Sequence, residues 1–237
     1  MFRSRPTTRR IAIAAAATAA LALFAAATPA QPVRWSAKVE ISPIGAYVVG
    51  NPNAKVRLVE YFSYTCSHCA EFAKAGTVPL RSLYIDKGLV LFEYRNMVRD
   101  PVDMTAALLA RCGAPSAFAG NHDAIFAAQP VWLGKVAKAT EAQMKSWYQG
   151  SLGDRARRIA ADAGLTAIMQ KRGYTNAQIG ACLDSEVAQA EIAGMTNIGQ
   201  NADRVAGTPT FFINGRNAAV VQWTALKTKL DAALKGS

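Results

Sequence analysis

Thr65-Cys66-Ser67-His68-Cys69 follows directly on an apolar run, Val56 to Tyr64, and opens a stretch of helical character. Two cysteines three apart in one helical turn bring their Cα atoms to about 5 Å, inside the span that a disulfide accepts. Such a pair closes and reopens with little backbone movement. A helix start also presents unpaired N–H groups and the positive end of the macrodipole, which favour a thiolate at the first cysteine. Cys66 therefore reads as the attacking sulfur and Cys69 as the resolving one, with Ser67 and His68 completing the reacting turn.

The N-terminus sets the compartment in which these cysteines are expected to work. Arg3, Arg5, Arg9 and Arg10 precede an alanine-rich apolar run, Ile11 to Phe24, which gives way to small residues up to Thr28-Pro29-Ala30. Charge, apolar stretch and small residues in that order predict a secretory signal over 1–30, cleaved after Ala30. The run is short for a membrane span, so an uncleaved anchor is the weaker alternative. Arg9-Arg10 invites a twin-arginine reading that Ile11-Ala12-Ile13 supports poorly. Export predicts a periplasmic location, where four cysteines (Cys66, Cys69, Cys112 and Cys182) are compatible with two disulfides. The net charge is +11, and removing the four arginines of the leader leaves +7. That surplus suits a soluble basic protein or docking to anionic surfaces and acidic clients. No basic run interleaved with aromatics points to nucleic acid.

Beyond the leader, Trp35 to Val49 carries Pro43 and Gly45 and reads as an edge strand with a lead-in, followed by the turn cluster Gly50-Asn51-Pro52-Asn53. Val56 to Tyr64 is β-branched and aromatic enough for a strand, and alternation places Val56, Leu58, Glu60 and Phe62 on one face. Glu60 interrupts that apolar face six residues before Cys66. It is either a proton acceptor or relay beneath the helix start, or a carboxylate at a partly exposed position. The helix from Cys66 toward Tyr84 is expected to kink or break at Gly76 and Pro79. Leu89 to Tyr94 is a second strand, so strand, helix and strand form a right-handed crossover with a parallel pair.

Val102 to about Ala206 reads as a helical insertion over 101–205, between the parts at 31–100 and 206–237. Met104 to Cys112 is one helix, closed by Gly113 and Pro115, while Thr140…Gln143 and Thr175…Gln178 match the capping box. A last helix, Ser185 to Gln200, is expected to bury Val187, Ala190, Gly194 and Ile198. Then Thr210 to Ile213, the turn Asn214-Gly215, a return strand Ala218 to Val221 and a helix Thr224 to Leu234 close the chain. The order is β-α-β, helical insertion, β-β-α: an α/β fold.

These residues resemble the DsbA-like branch of the thioredoxin superfamily. The likeness rests on Val59-Glu60-Tyr61-Phe62-Ser63-Tyr64-Thr65-Cys66-Ser67-His68-Cys69, on Gly207-Thr208-Pro209-Thr210-Phe211-Phe212 and on Asn214-Gly215, and it spans most of 46–235. It implies a thioredoxin fold with an inserted α-helical domain, and a thiol–disulfide oxidoreductase. Cys66 would be the exposed nucleophile, Cys69 its buried partner and Glu60 the acid beneath them. Thr208-Pro209 would be a cis-proline loop that holds an extended client. In such proteins a histidine at the position of His68 stabilises the first thiolate, which makes the disulfide more oxidising. His122 has no evident partner and reads as structural or exposed.

Cys112 and Cys182 depart from a single CxxC; a structural bridge is favoured over two buried thiols or a second redox centre. A bridge there would restrict the unfolded chain by about 4 kcal/mol. The function implied is a monomeric dithiol oxidase acting on reduced or misoxidised exported clients and reoxidised by a DsbB-like membrane partner, with no cofactor and no metal. An isomerase or reductase of the same fold is the alternative, although residues 31–50 are too few for a separate dimerisation domain. A module holding zinc through Cys66, His68 and Cys69 is a remoter one, since a fourth ligand is lacking nearby.

Overall fold

The computed structural model describes residues 1–2 and 33–236, so the expected leader from Arg3 to Ala30 lies outside the described residues. From Val33 onward the frame is a six-stranded sheet. Its strands are β1 (Val39–Ile41), β2 (Tyr47–Gly50), β3 (Val56–Phe62), β4 (Val90–Asn96), β5 (Thr210–Ile213) and β6 (Arg216–Asn217), in the spatial order β1-β2-β4-β3-β5-β6. β3 and β4 pair in parallel, from Val56↔Val90 to Phe62↔Asn96, and the remaining pairs are antiparallel. The lead-in thus holds two strands where one edge strand was expected. Ser42–Ala46 turns the chain back, with Gly45 at φ 78° and the Ala46 N–H on Ser42 Oγ at 3.1 Å.

Helix α1 (Ser67–Leu80) links β3 to β4 and does not break at Gly76. A Cβ on Gly76 would stand 2.8 Å from the Phe72 ring, so glycine there permits close packing within a continuous helix. Pro79 falls in the last turn, where its missing N–H costs one bond. Beyond it the ladder widens into a π-helical turn, Arg81–Ile85, in which the Asp86 N–H donates to Arg81 O at 2.8 Å.

Eight helices occupy the chain between β4 and β5: α2 (Pro101–Ala110), α3 (Phe118–Ala127), α4 (Gln129–Val136), α5 (Glu141–Ser146), α6 (Leu152–Ala163), α7 (Leu165–Lys171), α8 (Asn176–Leu183) and α9 (Glu186–Asn201). α2 starts a turn earlier than its apolar pattern suggests. Asp100 caps it, accepting the Asp103 N–H at 2.8 Å, and Pro101 takes the first helical position. Both expected capping boxes form, at Thr140 and Thr175, and a third at Ser151–Asp154 starts α6. The buried face of α9 differs from the expected one. Gln189, Ile192, Met195 and Gly199 are inside, while Val187 is 71% exposed. Gly199 lets α9 approach the sheet, because a Cβ there would stand 2.9 Å from the Tyr61 ring.

The return strand is also corrected. It is Arg216–Asn217, since the two-residue turn Asn214-Gly215, both at positive φ, fixes Ile213↔Arg216 as the first pair. Ala218–Val221 forms no strand, and Ala219 lies at φ 53°. α10 (Trp223–Lys235) then buries Leu226 and Leu230. One apolar core runs from the sheet into the insertion: Phe62 and Tyr64 meet His122 and Phe126 of α3, and Trp132 of α4 is fully enclosed.

Candidate functional site

The site forms where β3 ends. Ser63, Tyr64 and Thr65 turn the chain out of the sheet, and Cys66 is the N-cap of α1, with extended backbone at φ −89°, ψ 122°. This turn is buried and its polar groups are held by the helical insertion. Asp103 of α2 accepts from Ser63 Oγ at 2.6 Å and from the Tyr64 N–H at 2.8 Å. The Arg99 guanidinium donates to Ser63 Oγ and Thr65 Oγ1 at 3.2 and 3.0 Å. Gln129 of α4 donates through Nε2 to Tyr64 O and Cys66 O at 2.7 and 2.8 Å.

β5 runs antiparallel to β3, with Tyr61↔Thr210 in register, so the segment leading into β5 arrives beside the end of β3. The Thr208–Pro209 bond in that segment is cis. Cys66 Sγ stands 3.1 Å from Thr208 O, which accepts the thiol proton when it is present. Cys66 and Cys69 are both free and, contrary to the exposed position expected for Cys66, both are buried, at 6% and 1% exposure.

The two sulfurs are driven apart electrostatically. The Cys66 thiol is lowered to about 5, first by a hydrogen bond from Cys69. The Thr208 side chain and the N–H groups of Cys69 and His68 also lower it, together outweighing the opposing effect of burial. Cys69 is pushed far up by burial, then by its bond to Cys66 and by the charge of Glu60. Glu60 is 3% exposed, and burial followed by the Cys66 charge raises it to about 8. The partly exposed alternative for Glu60 is thus excluded. A neutral buried acid and a neutral buried thiol sit within electrostatic reach of one ionised sulfur. Such a set can accept attack at one sulfur and protonate the other as it leaves.

His68 follows Ser67 in the first turn of α1. Its ring is exposed, with Nδ1 3.2 Å from Glu71 Oε2 one turn on, and its main-chain N–H is among the groups that lower the Cys66 thiol. Early in a helix the N–H points back toward the N-cap while the side chain projects outward, where an i,i+3 partner meets it. Ser67 is exposed beside it. His122 is buried, with Nδ1 2.9 Å from Tyr64 Oη among five aromatic rings, and burial lowers it to about 3. Cys112 and Cys182 are joined as a disulfide, with Cα atoms 5.5 Å apart.

Asp103, Arg99 and Gln129 are absent from the expected site. The pattern Asp100-Pro101-Val102-Asp103 carries a readable helix-start signal. Nothing local ties Asp103 to Ser63 forty residues earlier, or Gln129 to Cys66.

A family model described as thioredoxin matches residues 43–232. The crystal structure of a protein-disulfide isomerase from Novosphingobium aromaticivorans is 38% identical, with a TM-score of 0.76 over 80% of this chain and 97% of that one. Wolbachia pipientis alpha-DsbA1 superposes with a TM-score of 0.64 at 18% identity, over 80% of this chain and 90% of that one. Among curated proteins, one from Rickettsia felis assigned as a protein-disulfide oxidoreductase is 29% identical over 206 residues, which is 86% of this chain. The chain spans 65% of that relative's length. The chain belongs to the thioredoxin family and takes the fold of its DsbA-like structural neighbours.

Proposed function

We propose that this chain is an exported protein thiol–disulfide oxidase. The observation that carries the reading is the opposed ionisation of the two sulfurs, with Cys66 low at about 5 and Cys69 high over a buried Glu60. In the oxidised enzyme a client thiolate attacks Cys66 Sγ. The Cys66–Cys69 bond breaks as the client–Cys66 bond forms, and Cys69 leaves with the electron pair, taking the Glu60 proton. A second client thiolate then attacks the client sulfur of the mixed disulfide and expels Cys66 as a stable thiolate. The client gains a disulfide and the enzyme is left as the dithiol. Thr208 and Pro209, beside the sulfur, would hold the extended client. Ser67 and the His68 ring would border its path. A DsbB-like membrane oxidant would restore the disulfide.

The leader-like sequence at 1–30 and the DsbA-like fold support export to the periplasm. The organisation that fits is a thioredoxin part at 31–100 and 206–237 with a helical domain inserted at 101–205, working as a monomer. Isomerisation is the second reading, favoured by the 38% identical isomerase structure. The equilibrium of the Cys66–Cys69 couple with glutathione separates them: a potential near about −120 mV is expected for an oxidase. A value near about −180 mV goes with an isomerase, and one near about −270 mV with a reductase, either of which overturns the oxidase.

A further inference from the structure

Gln129 opens α4 and is 3% exposed, yet its side chain reaches two main-chain carbonyls of the reacting turn, Tyr64 O at 2.7 Å and Cys66 O at 2.8 Å. The Cys66 carbonyl is also the first acceptor of α1, taking the Ala70 N–H at 3.2 Å. The peptide plane after Cys66 is therefore held from the helix on one side and from the insertion on the other. The N–H groups just beyond that plane, those of His68 and Cys69, are among the groups that lower the Cys66 thiol. They keep their aim only while the plane stays fixed. The carbonyl oxygen is moreover the negative end of a buried dipole next to the sulfur, and a donor bonded to it draws part of that charge away.

We propose that Gln129 is a positioning residue for Cys66: from the helical insertion it fixes and screens the Cys66 carbonyl, and so sets how oxidising the pair is. The inference rests on Cys66 being the nucleophile. It gives the insertion a part in the chemistry through one amide rather than only through shape. Gln189 supplies an internal control. It too is a buried glutamine of the insertion whose Nε2 donates to a main-chain carbonyl, Leu183 O at 3.2 Å, but at the end of α8.

The test compares Gln129→Met, which keeps length and loses the donor, with Gln189→Met. In Gln129→Met the pH midpoint of Cys66 alkylation rises, and the equilibrium with glutathione moves about two- to tenfold toward the reducing side, the worth of one net hydrogen bond. Gln129→Leu, which also lacks the donor, moves both in the same direction. Gln189→Met moves neither. If the Gln129 variants fold and track Gln189→Met in both measurements, the positioning role is overturned. Should they not fold, the wild-type protein decides by NMR. The Gln129 side-chain amide resonances shift with the Cys66 titration and those of Gln189 do not; a flat Gln129 trace overturns the proposal. A wild type whose Cys66 shows no alkylation midpoint in the acid range overturns the nucleophile reading itself. A normal wild type with an unmoved Gln129→Met overturns only the role of Gln129.

Discussion

Cys66 Sγ and the main-chain oxygen of Thr208 lie 3.1 Å apart although 142 residues separate them, and the side chain of the same threonine is among the groups that lower the Cys66 thiol. The antiparallel register of β5 on β3 delivers this meeting. Replacing Thr208 by valine keeps the branched shape and the carbonyl but removes the donor. We predict that Thr208→Val raises the pH midpoint of Cys66 alkylation by about one to two units, the value of a single bond to a charged group. It should also make the couple more reducing. A midpoint identical to wild type means that the hydroxyl does not serve the thiolate.

The two cysteines should separate cleanly in reactivity. Alkylation of the reduced native protein is expected to be half-maximal near the lowered value of about 5 and to level off by neutral pH. Only Cys66 should be labelled, since Cys69 is held protonated and is the more deeply buried of the two. Peptide mapping after a short exposure to iodoacetamide identifies the labelled sulfur. Labelling at Cys69 first reverses the assignment of roles.

Glu60 gives a prediction whose sign follows from linkage. Its folded value, about 8, lies above the ordinary 4.5. Between those values the unfolded chain releases the proton while the folded chain keeps it, so raising the pH through that window erodes wild-type stability. Glutamine has no proton to lose. The stability advantage of Glu60→Gln over wild type should therefore grow from pH 5 to pH 8, to a ceiling on the order of 5 kcal/mol, and then level off. Because the Cys66 charge is the second cause of the shift, the gain is smaller in the oxidised protein. Urea midpoints at several pH values in both redox states measure it, and a pH-independent difference rules it out.

What the sequence made readable follows from how local each signal is. Cys66 and Cys69 share one helical turn, the capping boxes at Thr140 and Thr175 span four residues each, and Asn214-Gly215 specifies its own turn. All of these have direct sequence signatures. The burial of Glu60 depends on what covers the strand, so alternation alone left it open. The α9 face was misread because Gln189 lies inside, hydrogen-bonded to Leu183 O, while the apolar Val187 faces solvent; composition pointed the other way. The fastenings of the reacting turn by Asp103 and Gln129 join elements forty to sixty-five residues apart, and tertiary packing alone reveals them.

The second cysteine pair should be separable from the first. Cys112 and Cys182 close a loop across 70 residues, and a cross-link of that length restricts the unfolded chain by about 4 kcal/mol on the loop-entropy model. The surroundings of Cys112 are also tied by other bonds. Its carbonyl accepts from Asn121 Nδ2 at 3.0 Å and from Tyr174 Oη at 2.8 Å, so the local structure has support besides the bridge. We predict that the double variant Cys112→Ala/Cys182→Ala folds, loses about that much stability in urea, and retains the wild-type alkylation midpoint and glutathione equilibrium at Cys66. Unchanged stability would place the bridge outside the forces that hold the fold. A shifted equilibrium at Cys66 would instead make the second pair part of the redox chemistry, and peptide oxidation by the double variant distinguishes the two.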